Sequence, residues 1–210
     1  MSNRLDAVIE EKLEKYQPKG GLKETARLFL ANMKINHQST ERHLKRVALL
    51  SSESARILKK DELAAFFGGL LHDFGKGLLP HSLFEEKEIT KDEYEKIKEH
   101  SRIGFEALKD KHLFTALCVG SHHGVYKNGY GITAKDFPVE CSPSLMKKVL
   151  EISTIVSICD FINAYSTRKT KTKDDSGKLN LKEALLNKYP DDILVIEAIL
   201  VAKESLGLYK

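Results

Sequence analysis

The sequence predicts an all-α fold, on three observations. Apolar residues recur at helical spacing along nearly the whole chain, no alternating strand pattern of useful length interrupts them, and helix-start chemistry stands where the periodic segments begin. Leu5, Val8, Ile9 and Leu13 share one helical face, and Pro18-Lys19-Gly20-Gly21 ends that segment. A second helix is expected from about Leu22 to Ile35, with Leu22, Ala26, Phe29, Leu30 and Met33 as its stripe. A third begins near Ser39 or Thr40; its stripe is His43, Val47, Leu50, Ser54 and Leu58, which puts His43 on the inner face. The fourth, from Asp61, carries Leu63, Phe66, Phe67, Leu70 and Leu71 and stops at Gly75 and Gly77.

Thr90-Lys91-Asp92-Glu93 reads as a capping box. The helix it opens is expected to carry Tyr94, Ile97, His100, Ile103, Gly104 and Leu108 without a break. A shorter helix, Phe114 to Ser121, runs into His122-His123, followed by a loop rich in Gly and Tyr from Gly124 to Cys141. Pro143 suits the first turn of a long helix reaching Thr167. Two last helices are expected at Asn180–Asn187 and Asp191–Leu206, after a linker-like stretch from Arg168 to Gly177.

Composition bounds the class. With 210 residues, 41% hydrophobic, the chain can bury an ordinary core, and its charged residues (30%) are interspersed with apolar ones. A net charge of +4 suits a phosphorylated small-molecule or nucleotide substrate but is too small to argue for a nucleic-acid polymer. Cys118, Cys141 and Cys159 are odd in number and form no CxxC pair, which fits a reducing compartment. No apolar run is long enough to span a bilayer. The expectation is a cytoplasmic protein that does not enter membranes. Residues 1–210 read as one domain, with 1–38 a candidate helical appendage and 40–168 the core.

Seven residues stand out as carriers of chemistry: His43, His72, Asp73, His100, His122, His123 and Asp160. His37, His81 and His112 are expected to play no chemical part. Asp160 lies within Ile152–Ile162, apolar on almost every helical face, where a lone carboxylate would cost several kcal/mol unless a cation met it. That cation could be a Lys, an Arg or a metal ion. Asp73 falls at a helix C-terminus, whose partial negative charge disfavours another anion and favours a cation. His122-His123 offers two imidazoles at another helix end. Imidazole with carboxylate suits iron, manganese, zinc and similar ions, and oxygen ligands shift the preference toward iron or manganese.

Taken in order, these residues resemble the metal-ligand signature of the HD superfamily. His72-Asp73-Phe74-Gly75-Lys76 resembles its HD-x-G-K core, His43-Leu44-Lys45-Arg46-Val47 its H-x-x-R-V, Ile89-Thr90 its Leu-Thr, and Asp160-Phe161-Ile162-Asn163-Ala164 its D-x-x-D-A. The ordering is closest to the HD-GYP branch, and the likeness spans roughly Thr40 to Arg168. The departures are Gly124 where the branch has Glu, Gly129-Tyr130-Gly131 in place of Gly-Tyr-Pro, and Arg168-Lys169-Thr170-Lys171 in place of Arg-x-Tyr-Arg. Ser39 stands where some members place the Glu for a third metal.

The resemblance implies a helical bundle holding two divalent ions, iron or manganese first and zinc, nickel, cobalt or magnesium as alternatives. Asp73 would bridge them. His43, His72 and Asp160 would hold one, and His100 with His122, His123 or both the other. The implied activity is hydrolysis of a phosphoester by activated water, most closely a phosphodiesterase acting on a cyclic dinucleotide or related nucleotide. A phosphatase on nucleotide monophosphates or other small phosphomonoesters and a non-catalytic signalling module are the alternatives, with a di-iron oxygenase using similar ligands more remote. Lys76 is the candidate phosphate contact, although a lysine at a helix end also suits the dipole. Arg46 and Tyr130 are further candidates on the substrate side. Arg168, Lys169, Lys171 and Lys173 form a basic cluster with no role beyond weak attraction of anions.

Overall fold

Ten α-helices make up the framework of the computed structural model, which describes residues 2–84, 88–167 and 180–207. They are α1 (Ser2–Lys15), α2 (Leu22–Asn36), α3 (Gln38–Ile57), α4 (Glu62–Leu71), α5 (Lys91–Lys98), α6 (His100–Leu108), α7 (Leu113–Ser121), α8 (Pro143–Thr167), α9 (Leu181–Lys188) and α10 (Ile193–Leu206). The described residues contain no strand, so the all-α expectation holds. The basic cluster at 168–173 lies outside the described residues.

Side-chain caps set three of the helix starts. The Asp61 carboxylate accepts from the Ala64 amide at 2.9 Å ahead of α4. Thr90 and Glu93 form the expected capping box of α5, and Asn180 and Glu183 form another ahead of α9.

Helix α3 is the hub, packed by α4, α8 and α10, with α1 and α2 laid along its flank. At Gly69 an added Cβ would sit 2.9 Å from the Ala48 Cα, so that glycine lets α4 press directly onto the α3 backbone. Residues of α1 and α2 enter the same buried cluster as the hub: Ile9, Leu13, Phe29 and Met33 join Leu44, Leu50, Phe66 and Ile155. Lys45 of α3, itself buried, pairs with Glu41 and with Asp6 of α1. The three cysteines are buried and free.

One expected element divides in two. The helix opened by Thr90 breaks at Glu99 instead of running on to Leu108. The Glu99 amide turns to the Lys96 carbonyl at 3.2 Å, and the imidazole Nδ1 of His100 takes the Ile97 carbonyl at 2.7 Å. The side chain competes with the backbone for that carbonyl, and the regular ladder is interrupted where His100 turns inward.

Candidate metal centre

Three of the histidines end or interrupt helices, and each is held in the same way. His72, at the C-terminus of α4, donates Nδ1–H to the Gly69 carbonyl at 2.8 Å. His100 bonds the Ile97 carbonyl, and His122, at the end of α7, bonds the Val119 carbonyl at 2.6 Å. A carbonyl can only accept, so Nδ1 carries the proton and Nε2 is left with a lone pair. His43, from α3, obeys the same logic through a side chain: its Nδ1 lies 2.7 Å from Oδ1 of the fully buried Asn163 on α8. Four Nε2 atoms on four helices are thereby readied as ligands by their neighbours.

Asp73 stands between them. It opens the 3-10 turn Phe74–Leu78 with no side-chain cap bond. Its Oδ2 lies 3.3 Å from His72 Nε2 and 3.8 Å from His43 Nε2, and its Oδ1 lies 3.2 Å from His100 Nε2. Asp160 Oδ1 closes one side, 3.1 Å from His43 Nε2 and 3.8 Å from His72 Nε2. On the other side His100 Nε2 is 3.5 Å from His122 Nε2, and the His122 and His123 rings are 3.9 Å apart. Two of the donor sets compact enough to grip an ion are His43–His72–Asp160 and His100–His122–His123; a third, His72–Asp73–His122, joins them.

Gly75 brings the two halves together. An added Cβ there would run into the His100 carbonyl and lie 2.8 Å from the Gly104 nitrogen. Only glycine lets the turn carrying Asp73 seat against α6.

The electrostatics call for a cation. Among the described residues Asp73 Oδ1 is buried without a hydrogen-bond donor. Nε2 lone pairs facing carboxylate oxygens at 3.1–3.3 Å repel unless a proton or a metal ion is shared between them. Burial alone would raise the carboxyl of Asp73, but His72, Lys76 and His100 outweigh it and hold it well below the usual carboxylate range. At Asp160 burial is likewise overridden, chiefly by His43 and His72. His72 moves the other way: burial would depress it, yet Asp73 and Asp160 raise it. His122 is driven well below its ordinary value by burial and by its imidazole neighbours, and burial takes His123 down to about 3. One end therefore gathers the carboxylates, and the other disfavours positive charge on the His122 and His123 imidazoles. Both suit a divalent cation with nitrogen and oxygen ligands.

All seven residues singled out in the sequence converge here. Asp160 is less enclosed than its apolar surroundings in the sequence suggest, with 19% of its side chain exposed. Lys76 donates to Asp73 Oδ2 at 2.7 Å. Tyr130 lays its ring against His123 (centroids 4.5 Å apart) and lies edge-on to His100 at 6.1 Å. Arg46 is half-buried one turn beyond His43. Gly124 stands where an added Cβ would collide with the Ile132 carbonyl, so this loop path admits no glutamate there. His37 stacks on His81, and His112 meets Thr25, all outside the clusters. Sequence reasoning placed at the centre neither Asn163, quoted only within the D-x-x-D-A likeness, nor the Tyr126 hydroxyl, 3.3 Å from His123 Nδ1. Asn163 falls one turn after Asp160, a spacing that could have flagged it.

The HD domain family profile matches residues 40–167. No curated protein matches the chain. The family implies divalent-metal binding and is generally one of metal-dependent hydrolases. Histidines readied by backbone carbonyls, a buried aspartate facing both donor sets and a profile match over more than half the chain lead to one conclusion: this protein belongs to the HD domain family.

Proposed function

We propose that the protein is a phosphohydrolase that uses two divalent cations to cleave a nucleotide-like phosphodiester. His43, His72 and Asp160 with Asp73 Oδ2 would hold one cation, and His100, His122 and His123 with Asp73 Oδ1 the other. Iron or manganese fits this mixed nitrogen and oxygen set best, with zinc, nickel, cobalt or magnesium as alternatives. Cations bound there supply Lewis acidity, acidify water for attack on phosphorus and neutralise charge on the phosphate oxygens.

The protein's own groups set the direction of approach. The side chains of Asp73, His72 and His100 are essentially sealed at 1%, 0% and 1% exposure, whereas His43, Asp160 and Lys76 keep 18%, 19% and 21%. Substrate therefore enters over that second group. Lys76 helps hold Asp73 ionised and oriented, and its partly exposed ammonium is proposed to meet a phosphate arriving there. Arg46, on the same helix as His43, and Tyr130, against His123, are proposed to act on the substrate side. The alkoxide leaving group takes its proton from solvent at this open edge.

The single observation that carries the proposal is the buried, donor-free Asp73 Oδ1 among Nε2 atoms that already have their Nδ1 protons committed. The test is metal analysis of the purified protein, then hydrolysis of bis(p-nitrophenyl) phosphate beside p-nitrophenyl phosphate with added Mn²⁺ or Fe²⁺. Diester cleavage supports the proposal. Cleavage of the monoester alone makes the protein a phosphatase. A protein that takes up no metal and cleaves neither ester is a non-catalytic signalling module, and the proposal fails.

A further inference from the structure

Lys188 is the last residue of α9, far in sequence from every residue of the centre. A lysine there serves the helix dipole and needs no further reason. Its direction does need one. The ammonium lies over the Tyr126 ring at 3.9 Å, with Phe161 at 4.9 Å and Tyr189 at 5.7 Å. The Tyr126 hydroxyl is 3.3 Å from His123 Nδ1, and Phe161 directly follows Asp160. One aromatic ring therefore separates this cation from His123, and its second ring belongs to the residue next to Asp160 on α8.

The position is held by a frame. Tyr189 is buried; its hydroxyl donates to the Ser157 carbonyl at 3.1 Å and lies 2.8 Å from the Ser157 hydroxyl. Leu185 and Ile196 are fully buried on either side. The segment after residue 180 is thereby fastened to α8, with the Lys188 ammonium held on the rings of Tyr126 and Phe161. Among the described residues no carboxylate comes within ion-pair distance of Lys188, whereas Lys76 is engaged with Asp73. Three π faces offset only part of the cost of half-burying an ammonium. Burial accordingly pulls its pKa below the ordinary lysine value, with Asp160 opposing. Such a group is poised for an anion.

We propose that Lys188 is a second substrate-anchoring cation of this centre, its ammonium holding a phosphate oxygen on the side of Asp160 and His123. The substrate class that follows is a phosphate ester with an anionic oxygen left free to meet Lys188. This rests on the phosphohydrolase reading of the site.

The test compares Lys188→Met, which keeps the stem on the rings and removes the charge, with Lys188→Arg, which keeps the charge. Inorganic phosphate is titrated calorimetrically into the Mn²⁺-loaded full chain, with melting temperature and metal content measured alongside. Lys188→Met is expected to weaken phosphate binding about tenfold or more, the usual effect of losing one hydrogen bond to a charged group. Lys188→Arg should stay within about threefold of wild type on the same scale. On the diester probe the Met variant should raise KM with kcat little changed.

Phosphate binding in Lys188→Met equal to wild type, or no phosphate binding by the wild type, overturns the assignment. If Lys188→Met does not fold, the lysine Nζ resonances of the wild type decide: the Lys188 signal must move on adding phosphate, and a stationary signal overturns it. Phosphate binding that depends on Lys188 in a wild type that cleaves neither ester would sink the phosphohydrolase reading and leave Lys188 as an anion site. Hydrolysis and phosphate binding both untouched in Lys188→Met would sink the role of Lys188 alone.

Discussion

Replacing Asn163 with Leu should weaken metal binding at the His43 side of the centre while leaving the helices in place. The carboxamide oxygen is the acceptor that fixes the His43 ring, at 2.7 Å from Nδ1, and the residue is fully buried. Without that acceptor the ring can rotate and place its proton on Nε2, where the ligand lone pair should be. Losing such an orienting partner typically costs about 10–100-fold in metal affinity. That corresponds to roughly 1.4–2.8 kcal/mol. Asn163→Asp retains an acceptor in the same place and should bind metal at least as tightly as wild type. The assay is competition for Mn²⁺ against a fluorescent chelator, with thermal melts in excess chelator to separate metal loss from general destabilisation. Hydrolysis by the Leu variant should fall at limiting Mn²⁺ and recover when the ion is in excess. Unchanged Mn²⁺ affinity in a folded Asn163→Leu protein would refute the reasoning, because His43 would then not be a ligand whose tautomer matters.

Asp73→Ala removes the carboxylate that faces both donor sets; ester hydrolysis should fall to background and bound metal per chain should drop, checked by elemental analysis on protein with wild-type circular dichroism. Gly75→Ala forces a methyl group into the His100 carbonyl and pushes the Asp73 turn off α6; a loss of about 1–3 kcal/mol in stability is expected from the overpacking, read by urea melts, and metal content should fall as well. The metal-free protein should be most stable near pH 6.5. His122 and His123 have depressed values in the fold, so below about pH 6.5 the unfolded chain gains protons that the native state refuses, and stability falls by up to roughly 1.4 kcal/mol per pH unit for each. His72 has a raised value, so its stabilisation is complete below its unfolded pKa and is lost as pH rises through the folded one. Melts from pH 5 to 9 in chelator test this, and a flat profile would contradict it; added Mn²⁺ should move the maximum upward, since ligands must shed protons to bind it. Lys76→Met should keep its metal but lose about tenfold or more in kcat/KM, as a charged hydrogen bond to Asp73 and to phosphate disappears.

The helices and their caps were legible because both are written in local spacing. The stripe of α3, the capping box at Thr90 and the Pro143 start each depend on residues within one or two turns. The candidate site residues were legible for a different reason: a carboxylate amid apolar neighbours on α8, and polar pairs at the ends of apolar helices, have no cheap solution within their own segment. The same local reasoning failed at Glu99, where the His100 side chain captures a backbone carbonyl because the centre draws it inward. It also gave no role to Asn163, quoted only as part of the D-x-x-D-A likeness, or to Lys188, which looks ordinary in sequence.

By itself, then, the sequence determined that the chain is helical, where most helices begin, and which polar groups could not be left alone. Only the tertiary structure decided which Nε2 atoms meet which oxygen of Asp73, that Asn163 orients His43, and that α9 returns a lysine to the Tyr126 ring. The reason is range. Periodicity and capping act over a few residues, whereas the centre is assembled across separations as long as the 120 residues between His43 and Asn163, by packing that local propensity does not encode.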